Sequence, residues 1–239
     1  MKLVILNKQE AEVQVCQEFI DLINSKKDCV LGLATGSTPE GVYAKLIDAN
    51  KEGKVSFKDV TTFNLDEYVG LEDSHPQSYR YFMNNHLFLH VDINLDKNHV
   101  PGNKGDENDL SVYDENIKKH GGIDLQLLGI GSNGHIAFNE PGTPFDSLTH
   151  IAELTEQTIS DNARFFERIE DVPTKACTMG LKSIMNAKKI ILIATGKSKK
   201  AAVEQLINGA IDEAWPCTIL RNHPDVVIYV DKEIEIAGL

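Results

Sequence analysis

Three side chains with complementary chemistry fall within eight residues of one another, because the stretch 128–146, LGIGSNGHIAFNEPGTPFD, carries the carboxamide of Asn133, the imidazole of His135 and the carboxylate of Glu140 directly behind an apolar run. An imidazole titrates near neutrality, at about 6.5 when unperturbed, so His135 can exchange protons at working pH. Glu140 can orient it, and Asn133 can donate and accept hydrogen bonds but cannot act as a base. The same stretch spells GxGxxG at Gly129, Gly131 and Gly134. A dinucleotide site needs a helix opening on the third glycine. Pro141 and Gly142 would end that helix before two turns had formed, so the glycines are expected at turn and close-approach positions beneath a substrate, with no cofactor.

A second acid–base candidate lies in TTFNLDEYVGL, where Asp66 and Glu67 follow an apolar run. Neighbours on an extended chain face opposite ways, so at most one of the pair is expected to enter a shared site. A carboxylate there suits proton abstraction. Anion binding is suggested by LGLATGSTPEG, residues 31–41, in which Thr38 is expected as helix N-cap and Pro39 as the first helical residue. The free N–H groups of Gly36, Ser37 and Thr38, with the two hydroxyls, would form a phosphate cradle. Residues 193–201, IATGKSKKA, repeat the Ala-Thr-Gly turn and add Lys197, Lys199 and Lys200. This is no Walker loop, because Ile191 stands where that motif needs glycine. One of these lysines, together with Arg164 in DNARFFER, can clamp a phosphate. The sequence has no GxSxG elbow for a covalent serine mechanism, and its eight histidines form no HxH or HxxxH pair, so no metal site is expected.

The elements that must position these groups read as α/β. Apolar runs at Cys29–Leu33, Val60–Leu65, Ile123–Ile130, Lys189–Ala194 and Val226–Val230 are continuous, as in strands buried on both faces, and the first strand begins near Lys2. Helical spacing links Val13, Cys16, Ile20 and Ile23, and a helix is expected over Ala201–Ile207. The alternation predicts one domain over 1–239: an open, mostly parallel sheet with helices on both faces, a Rossmann-like three-layer sandwich that binds ligands beyond the carboxyl ends of its strands. Residues 102–109 are expected as a surface loop, and 149–175 as polar helix and turn forming a lid over the sheet edge. The net charge of −12 argues against a nucleic-acid surface or an anionic membrane. Four cysteines without metal or CxxC spacing read as reduced core thiols. No signal peptide or membrane span is expected, which places the chain in the cytoplasm.

Taken together, LGLATGSTPEGVY, FNLDEYVGL followed by HPQSY, GIGSNGHIAFNEPG and TGKSKKA resemble the glucosamine-6-phosphate deaminase family, in the right order over about residues 2–230. The resemblance implies conversion of glucosamine 6-phosphate and water to fructose 6-phosphate and ammonia without metal or organic cofactor. By motif, Asp66 corresponds to the base that takes the C2 proton and returns one at C1, and His135 to the ring-opening base, assisted by Glu140 and Asn133. Gly36, Ser37, Thr38, Arg164 and Lys199 correspond to the phosphate site. Longer members often carry aspartate at the position of Asn133, which leaves His135 more dependent on Glu140. Allosteric members have basic residues soon after the FNEPG motif, where this chain has His150 and Ala152, so an unregulated monomer or small homo-oligomer is expected. The related alternatives are a 6-phosphogluconolactonase and a sugar-phosphate-sensing effector domain. The chain lacks room for a helix-turn-helix ahead of its first strand, which counts against the sensor.

Overall fold

The computed structural model describes residues 1–102 and 110–236, so the expected surface loop at 102–109 lies, apart from Gly102, outside the described residues. Among the described residues ten strands form: β1 (Lys2–Leu6), β2 (Val30–Leu33), β3 (Thr61–Asn64), β4 (Asp66–Tyr68), β5 (Asn98–His99), β6 (Leu125–Leu128), β7 (His150–Glu153), β8 (Lys175–Thr178), β9 (Ile190–Ala194) and β10 (Val226–Asp231). The α-helices are α1 (Lys8–Ser25), α2 (Glu40–Lys51), α3 (Tyr79–His86), α4 (Ser111–Lys119), α5 (Glu156–Asn162), α6 (Leu181–Met185) and α7 (Lys200–Asn208).

Seven strands pair in the order β1-β10-β9-β6-β2-β3-β5, all parallel. All five expected apolar runs are strands of this sheet. Their side chains alternate between two cores. Along β9, Ile190, Leu192 and Ala194 pack with α4, α6 and α7, through Tyr113, Ile117, Leu181, Ile184, Val203 and Leu206. Ile191 and Ile193 point the other way, against Val15, Phe19 and Ile23 of α1, Val42, Tyr43 and Leu46 of α2, and Met83 of α3. Strands with both faces covered are nearly continuous in apolar residues, which is why most of these runs were legible as continuous rather than alternating; Thr61, Thr62 and Asn64 on β3 and Gln126 on β6 are buried polar exceptions.

α1 opens on a capping box, in which the Asn7 side chain accepts from the Glu10 N–H at 2.9 Å and Glu10 accepts from the Asn7 N–H at 3.1 Å. Its buried stripe runs through Ala11, Val15, Cys16, Phe19 and Ile23, and the expected Val13 lies outside it, 56% exposed. At the amino end of the sheet, Asp124 ties three elements together. It accepts the Val30 N–H at 2.8 Å and meets the ammonium groups of Lys26 and Lys188 at 2.7 and 2.6 Å. Burial opposes its ionisation, but these partners hold its carboxyl below the usual range. The four cysteines are free and buried.

The structure corrects the sequence reading in three places. Residues 150–153 are strand rather than helix or turn, and with β4 and β8 they form a second, antiparallel sheet in the order β4-β8-β7. These strands have three or four residues each and mixed polarity, so they lack the apolar continuity that marks the main sheet. The helical part of 149–175 covers the cleft beyond the strand ends, not the sheet edge. Finally, α2 starts at Glu40 with Pro39 as its cap, and Thr38 makes no capping bond, because residues 37–39 form a turn ahead of the helix.

Candidate active site

Chain direction through the main sheet reverses between β2 and β6: from β2 the chain moves outward to β3 and β5, and from β6 it moves to β9 and β10. The crevice at such a switch point, beyond the carboxyl ends of the strands, is where open α/β sheets bind ligands. A cleft of about 540 Å³ lies there. The loops after four neighbouring strands line it: Ala34 to Thr38 after β2, Leu65 and Asp66 after β3, Gly129 to Ser132 and His135 after β6, and Thr195, Ser198 and Lys199 after β9. Tyr79 from α3 and Phe138 contribute to the wall, and Gln157, Asp161, Asn162, Arg164 and Phe165 from the α5 segment complete it.

Asp66 reaches this cleft while Glu67 is fully buried elsewhere, so the pair splits as the alternation of an extended chain requires. Burial, and then the neighbouring charge of Glu67, push the Asp66 carboxyl up to about 8. A carboxylate with that proton affinity is a far stronger base at neutral pH than an exposed one.

His135 lines the cleft, but Asn133 and Glu140 do not. They stand behind it. The Asn133 side chain donates to Oε2 of Glu140 at 2.8 Å and its oxygen accepts the His135 N–H at 3.2 Å. Oε2 of Glu140 lies 3.6 Å from Nδ1 of His135, an ion-pair distance rather than a hydrogen bond, and Nδ1 has no hydrogen-bond partner. Oε1 of Glu140 accepts from Thr158, in the first turn of α5, and from Thr155, which caps that helix, at 3.4 Å. Burial alone would raise the Glu140 carboxyl, but His135, Thr158 and Asn133 outweigh it and hold the group at about 2.

No helix follows Gly134, as the sequence requires. Gly131 has a different task from the one expected, because a Cβ there would stand 2.3 Å from the His135 ring, so the missing side chain is filled by imidazole rather than by substrate. Ala137, beside them in the cleft wall, is the one non-glycine residue among those described with positive φ, at 52°.

Both Ala-Thr-Gly turns border the cleft, and their glycines share a positive φ, 88° at Gly36 and 86° at Gly196, a region that glycine alone enters freely. No backbone acceptor among the described residues takes the N–H groups of Gly36, Ser37 or Thr38, and neither hydroxyl has a protein partner there. Of the three lysines only Lys199 faces the cleft; Lys200 is 3.9 Å from Glu204. Burial lowers the Lys199 ammonium, with Asp161 opposing and Arg164 reinforcing the shift. The Arg164 guanidinium stacks over the Phe165 ring at 4.7 Å. Sequence reasoning did not single out Tyr79, Phe138, Thr158, Ser198 or Phe165. Tyr79, Phe138, Ser198 and Phe165 fall within motifs the sequence reading quoted, whereas Thr158 falls outside them.

A family described as glucosamine-6-phosphate isomerases/6-phosphogluconolactonase matches residues 7–228. The glucosamine-6-phosphate deaminase of Mycoplasma mycoides subsp. mycoides SC is 53% identical over 233 residues, covering 97% of this chain and 95% of that protein. The enzyme of the same name from Bacillus velezensis is 48% identical over 94% of each chain. Among solved structures, a monomeric glucosamine-6-phosphate deaminase superposes with a TM-score of 0.96 at 43% identity, covering 98% of both chains. A 6-phosphogluconolactonase from Thermotoga maritima shares the fold at a TM-score of 0.76, but only 21% of its residues, over 97% of this chain and 99% of that one. The chain belongs to the glucosamine-6-phosphate isomerase/6-phosphogluconolactonase family.

Proposed function

We propose that this protein is a glucosamine-6-phosphate deaminase, which converts glucosamine 6-phosphate and water to fructose 6-phosphate and ammonia. One observation carries the reading: in a chain 53% identical to a deaminase over 97% of its length, a raised carboxylate and an imidazole line a single cleft together with Arg164 and Lys199. The lactonase alternative rests on likeness of fold at low identity, and the sensor alternative has no observation in its favour.

The phosphate is bound by the N–H groups and hydroxyls of the Gly36-Ser37-Thr38 turn, by Lys199 and by Arg164. Anchored there, the sugar places its reducing end toward His135. The imidazole moves a proton between the C1 hydroxyl and the ring oxygen, opening the ring, while Glu140 stabilises its charged form and Asn133 fixes the loop. Asp66 then takes the C2 proton and returns one to C1, which converts the aldose into a ketose imine. Water hydrolyses the imine and releases ammonia. Each positioned acid or base supplies roughly 10²- to 10⁴-fold. Phosphate binding adds remote energy that orients the reacting carbons.

Within this reading the enzyme is a cytoplasmic monomer without activation by an amino-sugar phosphate. Among the described residues no helix is long and apolar enough to cross a membrane, and a solved relative is described as monomeric. The residues after FNEPG include His150 and Ala152 where activated members carry basic groups. Steady-state ammonia release from glucosamine 6-phosphate, with and without N-acetylglucosamine 6-phosphate, tests both parts. Release with hyperbolic kinetics and no response to the second compound is expected. Absence of ammonia with intact binding would defeat the assignment.

A further inference from the structure

Glu67 takes no step in the reaction just described, yet it is a fully buried carboxylate beside the proposed base. Its Oε1 accepts the N–H groups of Tyr68 and Tyr79 at 2.8 and 2.9 Å, and its Oε2 accepts that of Arg80 at 2.9 Å. Tyr79 and Arg80 open α3, whose first N–H groups have no partner within the helix. Ser78 takes the third of these, from Tyr81, at 3.0 Å. Glu67 therefore pins the start of α3 to β4, and Tyr79, at that start, lines the cleft together with Asp66. Burial raises the Glu67 carboxyl, while three N–H donors on its two oxygens oppose that shift and favour the ionised form; no lysine or arginine side chain among the described residues pairs with it.

Resting on the deaminase reading, we infer that Glu67 is a positioning residue for proton transfer: anchored on α3, its carboxylate holds Asp66 and Tyr79 on one cleft wall and sets a negative charge against Asp66. A like charge disfavours ionisation of its neighbour and so strengthens it as a base. Burial acts on Asp66 in the same direction and more strongly. The other titratable groups coupled to Asp66 are neutral at working pH. Tyr68 on β4, Tyr79 on α3 and Cys177 on β8 are all raised chiefly by burial, as is Tyr113 on α4. The guanidinium of Arg80 is turned away, donating to the Asn98 carbonyl at 2.9 Å. Asp73 faces Glu67 and adds a further like charge. Glu67 is thus the charged group that acts directly on the base.

The test compares wild type, Glu67→Gln and Glu67→Asp by the pH dependence of kcat/KM for ammonia release, by solvent exchange of the C2 hydrogen, and by thermal melting. Glutamine keeps the shape but removes the charge and, having one acceptor oxygen, cannot take all three N–H groups, which the melting temperature monitors. Its acid limb is expected to move to lower pH by about one unit, a roughly tenfold loss of proton affinity at the base. C2 exchange at alkaline pH should fall with it. Aspartate keeps the charge but is one methylene too short to reach α3, so its limb should stay near that of wild type while kcat falls. An acid limb in Glu67→Gln that superimposes on wild type, whatever the change in melting temperature, would overturn the inference and leave a purely structural role. If Glu67→Gln does not fold, a limb in Glu67→Asp displaced to lower pH overturns it instead. A wild type that releases no ammonia refutes the deaminase reading itself, whereas an active wild type with an unmoved limb refutes only this inference.

Discussion

Oε2 of Glu140 stands at ion-pair distance, 3.6 Å, from Nδ1 of His135, and among the described residues the hydrogen bonds to that carboxylate come from Asn133, Thr155 and Thr158, none of which lines the cleft. The carboxylate is held in place before any substrate arrives. Its partners come from two separate segments, Asn133 on the loop after β6 and the threonines at the start of α5, so the histidine and the α5 segment over the cleft share one anchor. Under the proposed mechanism proton transfer creates an imidazolium at the partly exposed His135, and a fixed carboxylate nearby stabilises that charge without having to reorganise.

Glu140→Gln is expected to lower kcat/KM by roughly 10²-fold, the scale of one positioned proton-transfer partner. An open-chain substrate analogue should restore part of the loss, because ring opening is the step affected. The variant should also flatten acid denaturation. The Glu140 carboxyl sits at about 2, below its usual range, so its contribution to stability is present above pH 4.5 and is lost as pH falls toward 2. Melting curves across that window check the sign.

Gly131→Ala is expected to act on chemistry more than on folding. The new methyl group would meet the His135 ring at 2.3 Å, and the ring can move only away from Glu140 or into the cleft. Ammonia release should fall by roughly 10²-fold, the cost of a misplaced catalytic group, while substrate protection against thermal unfolding remains. Wild-type kcat with this variant would show that the histidine position is not critical.

Asp66→Asn should abolish both C2 exchange and ammonia release while binding persists, since the phosphate contacts lie elsewhere. It should also stabilise the protein. The folded-state carboxyl holds its proton up to about pH 8, above its usual range, so the penalty for burying its charge grows as pH rises toward 8 and is complete above it. Melting temperatures of wild type and variant should therefore diverge with rising pH, with the variant higher by about 3 °C or more at pH 9, given roughly 2–4 °C per kcal/mol for a domain of this size.

Lys199→Met removes the lysine that faces the cleft and leaves Lys197 and Lys200 in place. KM is expected to rise by roughly 10²-fold, in keeping with about 1.5–3 kcal/mol for a hydrogen bond to a charged group, with a smaller effect on kcat. Inorganic phosphate should inhibit the variant correspondingly less. The same change at Lys197 should leave both constants as in wild type.

Local chemistry made much of this protein readable from its chain. Continuous apolar runs announced the parallel strands, because a strand covered on both faces carries few polar positions. Pro141 and Gly142 ruled out the cofactor helix after Gly134, and the alternation of an extended chain separated Asp66 from Glu67. Two glycine turns with nearly the same φ, at Gly36 and Gly196, were already visible as a repeated tripeptide. What the chain alone did not reveal are the relationships that arise only when distant segments meet. Glu140 and Asn133 stand behind His135 rather than in the cleft, Thr158 completes their anchor from eighteen residues beyond Glu140, and the side chain missing at Gly131 makes room for an imidazole. The short antiparallel sheet escaped detection for the same reason, since strands of three or four mixed residues carry no periodic signal and form only because their partners are already in place. Residue type and spacing determined which groups could do the chemistry. Packing of the strand ends decided which of them reach the substrate and which hold the others still.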